Sequence, residues 1–160
     1  MRFMSNHSAL LDEISSMLID SELFNHLPPA ELRAAAHYFG ISKIGKDEIV
    51  FNEGDVGNFM CVVHSGSIEV IKANQNDQQI DMISLGHGRA FGEMAVLDGE
   101  CRSATCKAKE DSILLTLSKD ALDKMLTEQP RMGARVIRAI SVSLSRRLRM
   151  AVGQLVDHIV

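Results

Sequence analysis

The chain has few aromatic residues with which to build a core. Its 160 residues contain no Trp, one Tyr and six Phe, so aromatic residues make up only 4% of the chain. Hydrophobic residues nevertheless make up 46%, which is the share of an ordinary globular protein. A core must therefore be built mainly from Leu, Ile, Val and Met, and the length favours one domain around one core.

Long apolar runs and paired cysteines are also missing. No stretch reaches the roughly 18 apolar residues that a membrane-spanning helix needs, and residues 1–7 lack the apolar core of a signal peptide. The chain has an odd number of cysteines, three, and no C-x-x-C motif, so no disulfide framework is expected. They are Cys61, Cys101 and Cys106. Together these absences favour a reducing, cytoplasmic location.

Negative charge is missing from one segment near the C-terminus. Residues 131–149 contain six arginines and no acidic residue, so this segment carries +6 and the remainder −10 within the net charge of −4. Such a segment is commonly a solvated helix face that complements an acidic body, and the alternative is a contact surface for an acidic partner. The mild net charge argues against a protein whose whole surface binds nucleic acid.

Catalytic and metal-binding motifs are absent as well. The chain has no G-x-S-x-G, no P-loop and no H-E-x-x-H, so we expect no enzymatic activity. The six histidines show no spacing typical of metal ligands. His64 and His87 could meet inside a barrel and hold a metal, as in a metal-dependent barrel enzyme, but the H-x-H pair usual in such sites is missing. We therefore expect no metal and no cofactor.

Hydrophobic spacing divides the chain into helical ends and a strand-rich centre. Helical periodicity covers residues 8–20, 29–39 and 118–127, and a long terminal helix follows over 131–158. Over residues 41–117, recurrent glycines separate short runs of apolar and β-branched residues, which is typical of strands joined by turns. The predicted strands are 48–51, 59–64, 67–73, 79–85, 103–109 and 112–117, with a polar hairpin tip at 74–78. This pattern predicts antiparallel strands closed into a sandwich or barrel, flanked by helices.

The terminal helix carries a near-heptad apolar stripe. Its members lie three or four residues apart and are Ile137, Leu144, Leu148, Ala151 and Leu155. This spacing favours a homodimer through the C-terminal helix, and the alternative is packing of the stripe on the chain's own β-structure.

Residues 91–105 have the order of groups that suits a small anionic sugar phosphate. Gly92 frees the backbone to turn, and residues 94–97 can form one short helical turn whose free N–H groups favour an anion. Glu93 can accept hydrogen bonds from sugar hydroxyls, and Arg102 offers a planar charged fork for phosphate oxygens. A hydroxyl and an unencumbered backbone N–H follow in Ser103 and Ala104. The alternative is a structural ion pair between Glu93 and Arg102 that clamps a loop without any ligand.

The same segment resembles the phosphate-binding cassette of the cyclic nucleotide-binding domain family, whose pattern runs F-G-E-x-A-L and then R-[AST]-A-[TS]. The chain supplies Phe91-Gly92-Glu93-Met94-Ala95-Val96 and Arg102-Ser103-Ala104-Thr105. Residues 50–60 resemble the family's I-F-x-E-G-D-x-G-x-x-M run, and residues 63–70 resemble its V-x-x-G-x-V-x-V hairpin. The resemblance spans about residues 22–150. It implies a double-stranded β-helix, a jelly-roll-like β-roll with N-terminal helices and a long C-terminal helix.

The resemblance also implies roles for individual residues. Glu93 would bind the ribose 2′-hydroxyl and Arg102 would neutralise the cyclic phosphate. The phosphate cradle would be completed by groups near Gly92, Met94, Ala95, Ser103 and Ala104. The base would rest on Val70, Met82 and Leu85, although each of these is equally explained as ordinary core.

The lid over the base is expected from the terminal helix, at Ala151 and Val152. Here the chain departs from the family's catabolite activators, which carry hydroxyl residues in these positions. An apolar lid can stack on a base but cannot recognise its edge, so the choice between cAMP and cGMP stays open, with cAMP slightly favoured.

The sequence thus predicts an N-terminal helical extension over residues 1–20 and a cyclic nucleotide-binding domain over 21–160, with its β-roll at about 41–117 and C-terminal helices over 118–158. The expected function is a stand-alone sensor, in which ligand binding docks the terminal helix and signals to a separate effector protein. No direct DNA binding is expected, because no residues are left after the terminal helix for a recognition helix. The alternative is a ligand-silent scaffold that acts as a dimerisation or protein-interaction module.

Overall fold

The computed structural model describes residues 7–73, residue 76 and residues 79–159. Two helices come first, α1 (His7–Asp20) and α2 (Pro29–Ala36). The strands follow as β1 (Gly40–Ile44), β2 (Ile49–Phe51), β3 (Phe59–Ser65), β4 (Ile68–Ala73), β5 (Gln79–Leu85), β6 (Ala90–Phe91), β7 (Thr105–Ala108) and β8 (Ser112–Ser118). The remaining helices are α3 (Glu93–Asp98) between β6 and β7, then α4 (Lys119–Glu128) and α5 (Pro130–Ile159).

The strands form two antiparallel four-stranded sheets, ordered β1-β8-β3-β6 and β2-β7-β4-β5. This confirms the predicted fold of antiparallel β-structure with N-terminal helices and a long C-terminal helix. The predicted hairpin tip at 74–78 lies, apart from Asn76, outside the described residues. Among the helices of the described chain, none is both long enough and apolar enough to cross a membrane.

Two strands were not predicted. Strand β1 pairs with β8 from Gly40↔Thr116 to Ile44↔Ser112. It begins directly after the helix that the sequence predicts over residues 29–39. Helix α2 instead ends at Ala36. As an edge strand with a half-exposed pattern, β1 lacks the clean alternation that identifies a strand in sequence. Strand β6 has only two residues, which is too few to show any period.

Strand β3 separates two apolar clusters. Met60 and Val62 face a cluster formed with the helices, whereas Cys61 and Val63 face a second cluster between the sheets. Because alternate residues point to opposite faces, a strand covered on both sides has a continuous apolar sequence. The buried residues therefore form two clusters, one on each face of this sheet, and not the single core that the length favoured.

The helices cover the outer face of the β3–β8 sheet. Helix α1 buries Leu11, Ile14, Met17 and Leu18 in the helix-side cluster, so it packs on the chain's own body. Helix α5 is 30 residues long, and its first third packs on the same cluster through Met132, Val136, Ala139 and Ile140. Residues 145–156 of α5 are all exposed. The first third of α5 is therefore packed on the body of the domain, whereas residues 145–156 of the same helix are exposed to solvent.

Candidate functional site

A cavity of about 180 Å³ lies where helix α3 and the loop before β7 meet strands β4 and β5. Nine of the predicted site residues line it, and they are Val70, Leu85, Gly92, Glu93, Met94, Ala95, Arg102, Ser103 and Ala104. Further lining residues are Phe51, Ile83, Arg89, Phe91, Asp98, Glu100, Cys101, Cys106 and Arg147. The structure therefore brings the predicted phosphate and ribose groups into one concave surface.

Gly92 makes the turn that leads into α3. Its φ of +73° lies in the left-handed region, which costs an L side chain roughly 1–2 kcal/mol. A Cβ on Gly92 would also lie 2.7 Å from Nη1 of Arg102 and 3.2 Å from the Phe51 ring. Backbone conformation and close approach both require glycine at this position.

The backbone of Arg102 is held by the loop between β2 and β3. The Arg102 N–H donates to the carbonyl of Asp55 (2.7 Å), and the Arg102 carbonyl accepts from the N–H of Gly54 (2.8 Å). A Cβ on Gly57 would lie 2.4 Å from the Ala95 Cβ and 3.0 Å from Nε of Arg102, so this loop packs directly on the site. The two segments that resemble family motifs are therefore in contact.

The Arg102 guanidinium is buried against two aromatic rings. Its central carbon lies 3.8 Å from the centroid of Phe51 and 4.6 Å from that of Phe59, while the residue is only 5% exposed. Nη1 donates to the Gly92 carbonyl (3.0 Å) and Nη2 to the Phe59 carbonyl (2.6 Å). Two of the chain's six phenylalanines are thus in contact with this one buried cation.

No ion pair with a carboxylate is formed by this guanidinium within the described residues. Burial is the largest effect on the pKa of Arg102 and lowers it, whereas Cys61, Cys106 and Asp55 oppose this shift. Burial also raises the pKa of Cys61 and Cys106 to about 12, so both neighbouring thiols are neutral near pH 7. Nε of Arg102 is buried without a hydrogen-bond acceptor in the described structure. A desolvated cation with an unsatisfied donor is energetically unfavourable until an anion approaches.

Glu93 is paired with a residue that sequence reasoning did not assign to the site. Its buried carboxylate forms an ion pair with Nη2 of Arg147, which also donates to the Ala90 carbonyl at 3.0 Å. The proposed structural ion pair between Glu93 and Arg102 is therefore wrong. The pairing attaches helix α5 directly to the residue expected to bind ribose.

Residues 41–129, more than half of the chain, match the cyclic nucleotide-binding domain family. The chain belongs to this family. A cyclic AMP receptor protein of Thermus thermophilus is 33% identical over 131 residues, covering 82% of this chain and 59% of that protein. A cAMP-dependent protein kinase regulatory subunit of Blastocladiella emersonii is 29% identical over 120 residues, 75% of this chain and 28% of that one. The chain thus spans less than two thirds of the length of either relative.

The fold agrees with a solved structure over nearly its whole length. The crystal structure of a cyclic nucleotide-binding domain from Methylobacillus flagellatus KT matches with a TM-score of 0.81 and 26% sequence identity. The match covers 97% of this chain and 87% of that one. The helices at both ends, as well as the β-roll, therefore belong to the shared architecture.

Three predicted contact residues of this cyclic nucleotide-binding domain do not line the cavity. Met82 pairs with Ile71 in the register of β4 and β5, whereas its neighbour Ile83 pairs with the cavity residue Val70. Because adjacent strand residues face opposite sides, Ile83 takes the place predicted for Met82. Ala151 and Val152 are exposed on the uncovered part of α5, and Arg147, one turn earlier, is the α5 residue in the cavity wall.

A lysine on β4 supports the cassette from the side. Nζ of Lys72 donates to the carbonyl of Ser103 (2.8 Å) and to Oε1 of Glu53 (2.9 Å). The hydrogen bond from Lys72 is the largest of the effects that lower the pKa of Glu53. The Glu53 N–H in turn donates to Oγ1 of Thr105 at 2.9 Å. No local pattern pointed to Lys72, because its partners lie 19 and 31 residues away in the chain.

The two histidines considered for a metal site lie close together. The ring centroids of His64 and His87 are 5.9 Å apart, and Nδ1 of His87 lies 2.6 Å from the His64 carbonyl oxygen. Within the described ranges, no group of three or more His, Cys, Asp or Glu side chains is arranged to hold a metal ion. The pair therefore gives no support to the metal-dependent enzyme considered from the sequence.

Proposed function

We propose that this chain is a non-catalytic sensor that binds a cyclic nucleotide and transmits binding through helix α5 to an effector protein. The observation that carries the proposal is the Arg102 guanidinium, which is buried, lacks an ionic partner among the described residues and keeps Nε without an acceptor. A cyclic phosphate carries one negative charge and several acceptor oxygens, which are the groups that the buried Arg102 lacks. Family membership supports the same ligand class.

The other groups of the ligand have natural positions in the cavity. The cyclic phosphate would bind Arg102 together with Ser103 and the backbone near Ala104, and the ribose would bind Glu93. The base would rest on apolar strand residues that include Val70 and Leu85. We propose cAMP as the ligand, with cGMP as the competitor, and the name of the Thermus relative supports this choice.

Arg147 would make the response conformational. The ribose hydroxyls and Arg147 would use the same carboxylate, so a bound nucleotide would compete for the residue that ties α5 to the site. The cavity of about 180 Å³ is smaller than the 300–1,000 Å³ usual for ligand sites, which is consistent with Arg147 narrowing it. Ligand energy moves α5 only to the extent that the nucleotide binds one helix position more tightly.

The exposed part of α5 would form a homodimer interface. Leu148 and Leu155 are 65% and 60% exposed, and they lie on the predicted near-heptad stripe. This surface also favours the second candidate function, a ligand-silent interaction module in a cytoplasmic protein. The two functions differ in one property, which is the occupation of the Arg102 cavity.

Isothermal calorimetry with cAMP and cGMP tests the proposal. Wild-type protein should bind one of them with micromolar or tighter affinity. Arg102→Ala should lose about 2–5 kcal/mol of binding, at least about thirtyfold in Kd, because it removes one side of a desolvated charge pair. Arg149→Ala removes the same charge from an exposed position outside the cavity and should bind normally.

A folding control and a milder variant accompany this test. Circular dichroism shows whether Arg102→Ala is folded, and Ser103→Ala, at an exposed position, provides a milder cassette variant that should weaken binding several-fold. No heat with either nucleotide, together with no thermal stabilisation at millimolar ligand, would favour the ligand-silent module. Weakening of less than tenfold in folded Arg102→Ala would show that Arg102 is not the phosphate ligand.

A further inference from the structure

A second and larger concavity shares Arg89 and Arg147 with the cassette cavity. It is a groove of about 900 Å³ between α5, the segment joining α1 to α2, and the turn before β6. The α5 residues in its wall share one helix face, with spacings of three and four, and are Arg135, Arg138, Ala139, Val142, Ser143, Arg146, Arg147 and Met150. At 1.5 Å per residue this face runs for about 22 Å, so the groove is long enough for several turns of another helix.

The groove has an excess of positive charge. Among the described residues, its lining contains five arginines and one acidic residue, Glu22. The arginines are Arg89, Arg135, Arg138, Arg146 and Arg147. Arg135 is paired with Glu31 (2.7 Å), Arg147 with Glu93, and Arg89 loosely with Glu22 (4.0 Å).

Arg138 and Arg146 have neither an ion pair nor a hydrogen-bond partner within the described chain, and both are exposed. They are two cations whose attachment points lie about 12 Å apart along the helix axis.

Apolar surface lies between and beside these two cations. Val142, one turn from each of them, is 40% exposed, and Met150 is 66% exposed on the same face. Leu23 and Leu27 also line the groove, but both are buried, so the exposed apolar surface comes mainly from Val142 and Met150. A small free anion would use only the arginines, and it would leave this apolar surface in water.

We propose that the groove binds an acidic amphipathic helix of another protein. Its apolar face would pack on Val142 and Met150, and carboxylates two turns apart would meet Arg138 and Arg146. Helix-in-groove binding of this kind uses apolar anchors at helical spacing, with charge complementarity setting orientation and partner choice.

The charge distribution separates this occupant from two others. A second copy of α5 would bring its own six arginines over 131–149 against the groove. Nucleic acid would meet the net charge of −10 on the remainder of the chain, and the apolar strip offers nothing to a phosphate backbone. The inference goes beyond nucleotide sensing, and its test requires no nucleotide.

Fluorescence anisotropy with two labelled peptides provides the test. The first is a peptide of about 15 residues, which as a helix spans about 22 Å, with Leu at positions 1, 5, 8 and 12 and mainly Glu elsewhere. The second carries Lys in place of every Glu. The full-length protein should bind the acidic peptide and not the basic one, with affinity falling as salt is raised.

Matched arginine variants locate the binding surface. Arg138→Ala with Arg146→Ala should weaken the acidic peptide about tenfold, since each partly exposed ion pair contributes a few-fold. Arg131→Ala with Arg149→Ala removes the same charge from exposed positions of the same helix outside the groove, and its effect should stay below about twofold. Val142→Ser should weaken binding without any change of charge.

Several results would overturn the inference. Equal weakening in both arginine pairs would mean non-specific attraction, and no binding of the acidic peptide would remove the site. Tighter binding of a short duplex DNA, lost in the groove pair, would assign the surface to nucleic acid. A change of oligomeric state in the groove pair, measured by light scattering, would assign it to a second copy of the chain.

Discussion

Replacing Gly92 with Ala tests whether the turn before α3 determines the position of Arg102. At φ +73° an Ala would carry the left-handed penalty of about 1–2 kcal/mol. Its Cβ would also lie 2.7 Å from Nη1 of Arg102, and the guanidinium cannot yield easily because it is hydrogen-bonded to two carbonyls and flanked by Phe51 and Phe59. Such overpacking costs about 1–3 kcal/mol. Gly92→Ala should therefore destabilise the protein by about 2–5 kcal/mol.

Gly99 provides a matched control at the other end of α3. Its φ of +70° imposes the same backbone penalty, but the nearest atom to a new Cβ is Cε of the flexible Lys119, at an ordinary 3.6 Å. Gly99 does not line the cavity. Gly99→Ala should therefore cost only the roughly 1–2 kcal/mol of backbone strain. The difference between the two variants isolates the contact with Arg102.

Urea unfolding followed by circular dichroism measures both stabilities, and calorimetry with cAMP measures binding. Gly92→Ala should lose at least about tenfold in affinity, because a shift of about 1 Å in the guanidinium misaligns a charge-assisted hydrogen bond. Gly99→Ala should bind as wild type does. Equal stability and equal affinity of the two variants would refute the reasoning, since the turn at Gly92 would then not control the position of Arg102.

Two further predictions concern α5 and the support of the cassette. Light scattering should show a dimer for the full chain and a monomer for Leu148→Glu with Leu155→Glu, and a monomeric wild type would contradict the proposed interface. For Glu53, whose pKa is lowered chiefly by the hydrogen bond from Lys72, the stabilisation is present above the ordinary Glu pKa and is lost as pH falls through the lowered value. Thermal melts at a series of pH values from 7 to about 3 should therefore show that the stability difference between wild type and Glu53→Gln decreases as pH falls. A difference that stays constant over this range would show that the ion pair does not contribute to stability.

Local sequence was sufficient for the parts of the site that are contiguous in the chain. The run from Gly92 to Ala104 contains the glycine turn, the carboxylate, the arginine and the donors that follow it, and the structure places them in one cavity. Strands were predicted where apolar residues are dense, as in β3, which is covered on both faces. Short or half-exposed strands were missed, since β1 and β6 have too little buried surface or too few residues to show a period.

Side-chain direction was the weaker inference. Around β5 both Met82 and Ile83 are apolar, and only the register with β4 determines which of them faces the cavity. A strand's faces exchange with a shift of one residue, so composition cannot decide between neighbours of similar hydrophobicity. The ion-pair partner of Glu93 could not be predicted either. Arg147 lies on a different element, and no local feature of the sequence distinguishes it from the other five arginines over residues 131–149.

Arg147 and Arg89 line both the cassette cavity and the arginine groove, so the two proposed sites share part of their walls. With no ligand, Glu93 neutralises Arg147 and leaves Arg138 and Arg146 as the unpaired cations of the groove. A nucleotide that takes Glu93 would release Arg147 as a third cation for an acidic helix. Coupling between binding sites is reciprocal in free energy, so an acidic helix that attracts Arg147 must strengthen nucleotide binding by the same factor. The coupling is positive under the proposed competition, because the nucleotide and the acidic helix would each favour the state in which Arg147 has left Glu93.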